Sequence, residues 1–176
     1  KRIPIGSMYS SRQNIGGESV RAGIQVILPE VPYPKQQRAF SFYWSSRDWF
    51  FKELVAMREK LTELANSSEV VVFRAKSLNR RFYESLFKRW NLQVKFDFGD
   101  VNRGERFEAY ETVFVCYFST AIVEAFYQGS RVIPLFSKNS YVARSEFRQD
   151  LEFLHEPEVS EVAMSQFVTR YAFETD

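Results

Sequence analysis

Residues Thr112–Phe136, TVFVCYFSTAIVEAFYQGSRVIPLF, decide the fold of this chain because they contain a complete strand, helix and strand. The apolar run Val113–Tyr117 is of the kind that a buried parallel strand needs. Ser119 and Thr120 supply hydroxyls where a helix would begin, Gly129 ends that helix, and a second β-branched run follows. This unit predicts that the N–H groups at the helix start lie at the carboxyl edge of a parallel sheet, where α/β folds bind ligands.

The rest of the chain repeats the alternation of strands and helices. Hydrophobic patterning predicts further strands at Ile24–Val31, Glu69–Arg74, Leu92–Phe96 and Ser130–Phe136. It predicts helices from Ser45 to Asn66, from Ser77 to Trp90 on a face of Leu78, Phe82, Leu86 and Trp90, from Tyr141 to Leu154, and from Ser160 to Tyr171. Strands joined through helices pair in parallel by right-handed crossovers. We therefore predict an α/β fold with a doubly wound, mostly parallel sheet of about five strands flanked by helices.

Composition indicates one domain. The chain has 176 residues, of which 45% are hydrophobic and 26% charged, enough to bury one core. Residues Lys1–Gly23 contain four glycines and show no hydrophobic period, so we expect 1–23 to be an extended lead-in or linker and 24–176 to be a Rossmann-like domain. The first residue is not methionine, which leads us to expect an excised piece of a longer protein.

Charge and residue counts disfavour several classes of protein. A net charge of +2 is too small to indicate a nucleic-acid partner, and no apolar run approaches the roughly 18 residues of a membrane span. The single cysteine, Cys116, lies in an apolar strand and is expected to be a core residue in a reducing compartment. His155 is the single histidine, so no metal site is predicted. The chain lacks G-x-G-x-x-G and P-loop motifs, and no cofactor is predicted.

Cations and hydroxyls follow two of the predicted strands. Arg74 and Lys76 follow the strand EVVVFR, and Ser119 and Thr120 follow VFVCYF. We expect these strands to be neighbours and the four side chains to share one crevice at the carboxyl edge of the sheet. Cations beside a helix N-terminus neutralise phosphate groups. Glu124, one helical turn after Thr120, could accept hydrogen bonds from sugar hydroxyls.

Each of these residues also has a simpler interpretation. Arg74 and Lys76, with the arginines that follow them, could form a solvated basic stripe. Ser119 and Thr120 are ordinary helix-capping residues, and Glu124 could simply be exposed. The joint placement of all five residues at one sheet edge favours the ligand-binding interpretation.

The same residues resemble a known family. FSTAIVEAFYQGSRVIPLF is similar to the donor-binding signature of GT-B glycosyltransferases, in which hydroxyls, a glutamate and a glycine precede a returning strand. VVFRAKS and LEFLHEPEVSEVAMSQFV resemble parts of bacterial surface-carbohydrate transferases, including the CDP-glycerol and lipopolysaccharide types. The resemblance implies that Ser119 and Thr120 contact the donor phosphates, that Arg74 and Lys76 balance their charge, and that Glu124 holds the ribose.

The resemblance also implies an activity. The chain would be the Rossmann-like, nucleotide-sugar-binding half of a GT-B enzyme for bacterial surface polysaccharide synthesis, with a UDP-, GDP- or CMP-linked donor. Transfer would not need a metal, since the chain has no Asp-x-Asp triplet and Arg74 and Lys76 could supply the charge. The acceptor half and the catalytic base would lie outside these 176 residues. We expect a cytoplasmic location, with peripheral association at the inner face of the membrane through that other half.

One departure from the family, one possible contact with the nucleobase and two rival interpretations accompany this prediction. Tyr117 and Phe118 stand where relatives often carry small or acidic residues, which affects the phosphate geometry. Aromatic residues in Phe40–Trp44 could stack on the nucleobase or pack in the core. The first rival is a non-catalytic Rossmann-like module that binds a nucleotide or a protein partner. The second is an epimerase-like hydrolase, which needs carboxylates in the crevice that the sequence does not supply.

Overall fold

The structure is a computed structural model that describes residues 21–31, 47–99, 107, 109–117, 120–136, 158–160, 162 and 164. Its strands are β1 (Ile24–Ile27), β2 (Val71–Arg74), β3 (Lys95–Asp97), β4 (Thr112–Val115) and β5 (Arg131–Pro134). Its helices are α1 (Arg47–Ala56), α2 (Arg58–Ala65), α3 (Arg80–Arg89) and α4 (Thr120–Tyr127), and a 3₁₀ turn (Ser77–Asn79) precedes α3.

The five strands form one parallel sheet in the order β3-β2-β1-β4-β5. The strand β1 is central and pairs with β2 on one side and with β4 on the other. The chain builds the sheet outward from β1 through β2 to β3, and then returns to the opposite side of β1 to form β4 and β5. Between β1 and β4, the direction of sheet growth therefore reverses, which defines a topological switch point.

Helices cover both faces of the sheet because the central strands are apolar on both sides. On the first face, Ile24, Val26, Phe73 and Phe114 belong to a buried cluster with side chains of α1, α2 and α3. On the second face, Ile27, Val113, Val115 and Val132 belong to a cluster with Ile122 and Ala125 of α4. This arrangement confirms the predicted doubly wound α/β fold.

Local details differ from the sequence prediction in two places. The helix predicted to run continuously to Asn66 divides at Met57, which has a φ of −80° and a ψ of −8°. The backbone hydrogen bonds from Met57 N to Glu53 O and from Leu61 N to Met57 O persist across this division. The predicted apolar face of α3 is also wrong in part, because Leu78 lies in the 3₁₀ turn and is 49% exposed. The fully buried side chains of α3 are Tyr83 and Phe87.

Other predictions fall outside the described residues. These are the aromatic segment Phe40–Trp44, the helix Tyr141–Leu154 and most of the last helix, of which Val162 and Met164 are helical and Met164 N donates to Ser160 O. Across the ranges that the structure does describe, none of the helices has the length and apolar character that crossing a membrane requires.

Candidate functional site

Arg74, Lys76 and the start of the helix α4 lie at the carboxyl edge of the sheet. At this edge β1 ends at Ile27, β2 ends at Arg74 and β4 ends at Val115. The helix α4 begins at Thr120, five residues after the end of β4, and packs on the second face. The switch point between β1 and β4 therefore opens beside the N-terminus of α4.

The side chain of Arg74 lies on the second face and is held by the end of β3 and the loop that follows it. Its Nη1 is 2.5 Å from Oδ2 of Asp97, and its Nη2 donates to the carbonyl of Gly99 at 3.1 Å. The backbone N–H of Gly99 donates in turn to the other carboxylate oxygen of Asp97 at 2.8 Å. The guanidinium is nearly buried, with 10% of the side chain exposed. Arg74 therefore joins the ends of β2 and β3.

Lys76 connects the ends of β2 and β1. Its Nζ is 2.6 Å from Oε2 of Glu30, which follows β1 by three residues. The lysine side chain is 54% exposed, so its ammonium group keeps access to solvent. An ammonium group has three N–H donors, and one carboxylate leaves donors for a ligand.

Arg74 and the start of α4 lie at the same edge of the sheet, as the sequence predicts, but their strands are not adjacent. The prediction that they come from neighbouring strands is wrong, because β1 lies between β2 and β4. Two strand spacings separate them, about 10 Å. They nevertheless share the second face and the centre of the carboxyl edge. Ser119 and the side chain of Thr120 lie outside the described residues, so phosphate binding by these residues stays a prediction.

Glu124 lies one helical turn after Thr120 on α4. Residues four apart lie on one face of a helix, so Glu124 lies on the same face of α4 as position 120. Glu124 is half-buried, between the sheet-facing Ile122 and Ala125, which are buried. Its predicted role in binding the ribose stays a prediction.

Sequence reasoning missed a polar cluster on the second face. Gln25, in the middle of β1, is fully buried, and neither atom of its amide has a hydrogen-bonding partner among the described residues. The hydroxyl of Tyr110 lies near this amide. Burial, and then the charge of Asp97, raise the pKa of Tyr110, while Gln25 and Arg74 act in the opposite direction. One polar residue inside the apolar strand IQVI was the sequence signal for this cluster.

A second buried amide, that of Asn79, lies after β2 at the carboxyl edge of the sheet. Asn79 immediately precedes α3 and is fully buried, but it makes no side-chain capping bond, and neither Nδ2 nor Oδ1 has a partner in the part of the chain that the structure covers. Sequence reasoning passed over this residue, because an asparagine before a helix is an ordinary capping residue.

The single cysteine is a core residue, as predicted. Cys116 is fully buried in the cluster of the first face, and burial raises the pKa of its thiol far above the ordinary value. Within the described residues, no group of three His, Cys, Asp or Glu side chains is placed to hold a metal ion.

Comparison of this chain with protein-family models, with curated proteins and with solved structures gives no match.

The pairing of Arg74 with Asp97 makes a prediction about stability. We expect Asp97→Ala to lower the free energy of unfolding by about 2–3 kcal/mol, because it leaves a nearly buried guanidinium with one carbonyl partner. Urea denaturation monitored by tryptophan fluorescence measures this change. The matched control is Glu158→Ala, which breaks the exposed pair between Arg131 and Glu158 and should cost under about 1 kcal/mol. Equal losses in the two variants would contradict the structural role of the buried pair.

Proposed function

We propose that this chain binds a nucleotide sugar at the carboxyl edge of its sheet, as the donor-binding portion of a metal-independent GT-B type glycosyltransferase for bacterial surface polysaccharide synthesis. One observation carries the proposal. The switch point between β1 and β4 stands beside the N-terminus of α4, and the cationic end of β2 lies at the same edge. In open parallel α/β sheets this is the position at which ligands bind.

The residues at this edge suit a nucleoside diphosphate. The first N–H groups of α4 have no partner within the helix and attract negative charge. Lys76 is exposed, stands across β1 from α4, and retains N–H donors beyond the one that Glu30 accepts. Arg74 and Lys76 each have a carboxylate partner, but the Arg74 side chain is only 10% exposed and also donates to the carbonyl of Gly99, so it is less available to a ligand. We therefore assign the diphosphate chiefly to α4 and Lys76, with Arg74 holding the ends of β2 and β3 in place.

The proposed chemistry is displacement of a nucleotide from the anomeric carbon of the sugar by a hydroxyl of the acceptor, which forms the new bond to that carbon as the bond to the phosphate oxygen breaks. The leaving phosphate gains negative charge as the glycosidic bond breaks, and fixed N–H groups and an ammonium group stabilise that charge without a covalent intermediate. Glu124 would accept hydrogen bonds from the ribose hydroxyls one turn below the phosphates. No catalytic base is assigned within this chain.

The affinities of a nucleotide and of its 2′-deoxy form, compared with each other, test the proposal. We expect isothermal titration calorimetry to show that the full chain binds one of UDP, GDP or CMP, and about tenfold more weakly the 2′-deoxy form of the same nucleotide. In Glu124→Gln this preference should shrink to about twofold, since an amide accepts the hydroxyl hydrogen bond less strongly than a carboxylate. The control Glu59→Gln removes an exposed acid from α2 and should keep the full preference.

A non-catalytic interaction module is the alternative, and one observation favours it. Both cations of the predicted site, Arg74 and Lys76, already have carboxylate partners within the chain. A module that binds a protein partner would show no saturable binding of any of the three nucleotides, whereas one that binds a nucleotide would bind it without transferring a sugar. The absence of binding would reject the donor-binding proposal, as would an unchanged deoxyribose preference in Glu124→Gln.

A further inference from the structure

The β5 edge of the sheet is covered by a short segment from later in the chain. The backbone N–H of Val159 donates to the carbonyl of Val132 at 3.1 Å, and Pro134, the last residue of β5, has no N–H to offer. Glu158 accepts a hydrogen bond from Arg131 of the same strand at 2.8 Å, and the side chain of Val159 is buried against the second face. An acidic and an apolar residue therefore cover this edge together.

The opposite edge, formed by β3, has no such cover among the residues that the structure describes. The N–H of Ala75, just after β2, donates to the carbonyl of Asp97, so the backbone groups of Asp97 point toward β2. Successive residues of a strand direct their backbone groups to opposite sides. The N–H and C=O of Phe96 therefore point away from the sheet, and neither has a backbone partner within the described ranges.

The two sides of β3 differ in chemistry. Phe96 packs against the cluster of the first face, and its half-buried ring stacks on that of Phe98 with 4.9 Å between centroids. Lys95 lies on the second face, because successive side chains of a strand alternate. It is exposed and forms no ion pair in the described part of the chain. A strand added beside β3 would place alternate side chains beside the aromatic pair and beside the lysine.

Lys95 also limits which strand can pair with this edge. A lysine on an edge strand opposes pairing with an identical strand, because a second copy would bring a second positive charge. An acidic side chain at the same place would instead form an ion pair, as Glu158 does with Arg131 at the β5 edge. The segment that covers β5 therefore indicates the chemistry that suits β3, which is an extended backbone with acidic and apolar residues.

We propose that the edge of β3 binds an extended segment of a partner protein in which acidic residues alternate with apolar residues. The segment would pair with the N–H and C=O of Phe96 as an added strand. Its apolar side chains would contact Phe96 and Phe98, and its acidic side chains would contact Lys95. This surface does not depend on the donor proposal, because β3 is separated from β1 by β2 and none of these three residues is assigned to the donor.

A peptide of about eight residues that alternates glutamate with valine is the probe, since this length matches an ordinary strand. We expect the fluorescein-labelled peptide to bind the full chain saturably in a fluorescence anisotropy titration at neutral pH. Lys95→Glu should weaken this binding about tenfold, because repulsion replaces attraction. The matched control is Lys52→Glu, which makes the same charge change on an exposed side chain of α1 and should change the affinity less than about twofold.

Amide hydrogen exchange separates strand addition from attraction between charges alone. Saturating peptide should slow exchange of the Phe96 amide at least about tenfold, whereas the amide of Asp97, which already faces β2, should change little. A peptide of the same length that alternates glutamate with proline keeps the charge and lacks every second N–H. We expect it to bind at least about tenfold more weakly than the valine peptide.

Three results would overturn the proposal: no saturable binding of the valine peptide, equal affinity of the wild type and Lys95→Glu, or binding that leaves the Phe96 amide unprotected. Light scattering should give the mass of one chain, and a dimer with a protected Phe96 amide in the absence of peptide would assign the edge to a second copy instead. The proline peptide is compared on the wild type, so equal affinity for the two peptides rejects strand addition even if Lys95→Glu does not fold. Neither peptide contains a nucleotide, so failure here leaves the measurements on Glu124 unaffected.

Discussion

Phe73→Ala is expected to lower the free energy of unfolding by about 4 kcal/mol, the upper part of the range for removing a buried aromatic ring. Phe73 is fully buried on β2, next to the central strand. Its ring lies 5.1 Å from that of Phe87 on α3 and 6.4 Å from that of Phe96 on β3, measured between centroids. Removing it would leave a cavity between the first face of the sheet and α3. Urea denaturation with linear extrapolation measures the loss.

The control for this prediction is Val70→Ala, immediately before the same strand. Val70 is 66% exposed, and its side chain should contribute less than about 0.5 kcal/mol. If Phe73→Ala cost no more than Val70→Ala, α3 would not be packed on the first face as the structure describes. Because a domain of this size has a stability of about 5–15 kcal/mol, Phe73→Ala should also lower the midpoint of thermal unfolding well beyond experimental error.

Gly23→Ala is expected to cost about 3–4 kcal/mol, because backbone strain and a backbone collision add together. Gly23 immediately precedes β1 and has a φ of +89°, which L-residues with a side chain rarely adopt. A Cβ atom at this position would lie 2.7 Å from the carbonyl oxygen of Val70. That same oxygen accepts the hydrogen bond from Ile24 N that opens the pairing of β1 with β2. The strands would have to separate to admit the methyl group.

Gly129→Ala is the matched comparison for Gly23→Ala. Gly129 has a similar φ of +83° at the end of α4, but a Cβ there would meet the guanidinium of Arg21 at 2.8 Å. A flexible side chain can move away, whereas the backbone of a paired strand cannot. We therefore expect Gly129→Ala to cost about 1–2 kcal/mol, the backbone strain alone. Chemical denaturation of both variants under one set of conditions isolates the contribution of the backbone contact. Equal losses would contradict it.

Much of the fold was accessible to sequence reasoning because its signals are local. A short apolar run such as Val113–Tyr117, followed by hydroxyls and then a glycine, shows its strand, its helix and its turn in the order of the residues. The left-handed conformation of Gly129 is the backbone state that ends such a helix. The exposed position of Leu78 could not be anticipated, because a 3₁₀ turn before a helix changes which side chains face the core.

The candidate site was less accessible. Sequence reasoning brought Arg74 and Lys76 to the carboxyl edge but could not supply their partners, since Asp97 is 23 residues from Arg74 and Glu30 is 46 residues from Lys76. Nor could it show that the amides of Gln25 and Asn79 are fully buried. Burial of a polar side chain depends on which loops close over it, and those loops come from distant parts of the chain.

By itself, the sequence determined that this protein alternates strands and helices around a parallel sheet, because hydrophobic period, capping residues and glycines act within a few residues of one another. Only the tertiary structure decided the strand order, which places β1 between β2 and β4 and separates the cations of β2 from the start of α4 by one strand. Strand order follows from how helices on both faces pack against the whole sheet. That balance of long-range contacts has no counterpart in any short stretch of residues.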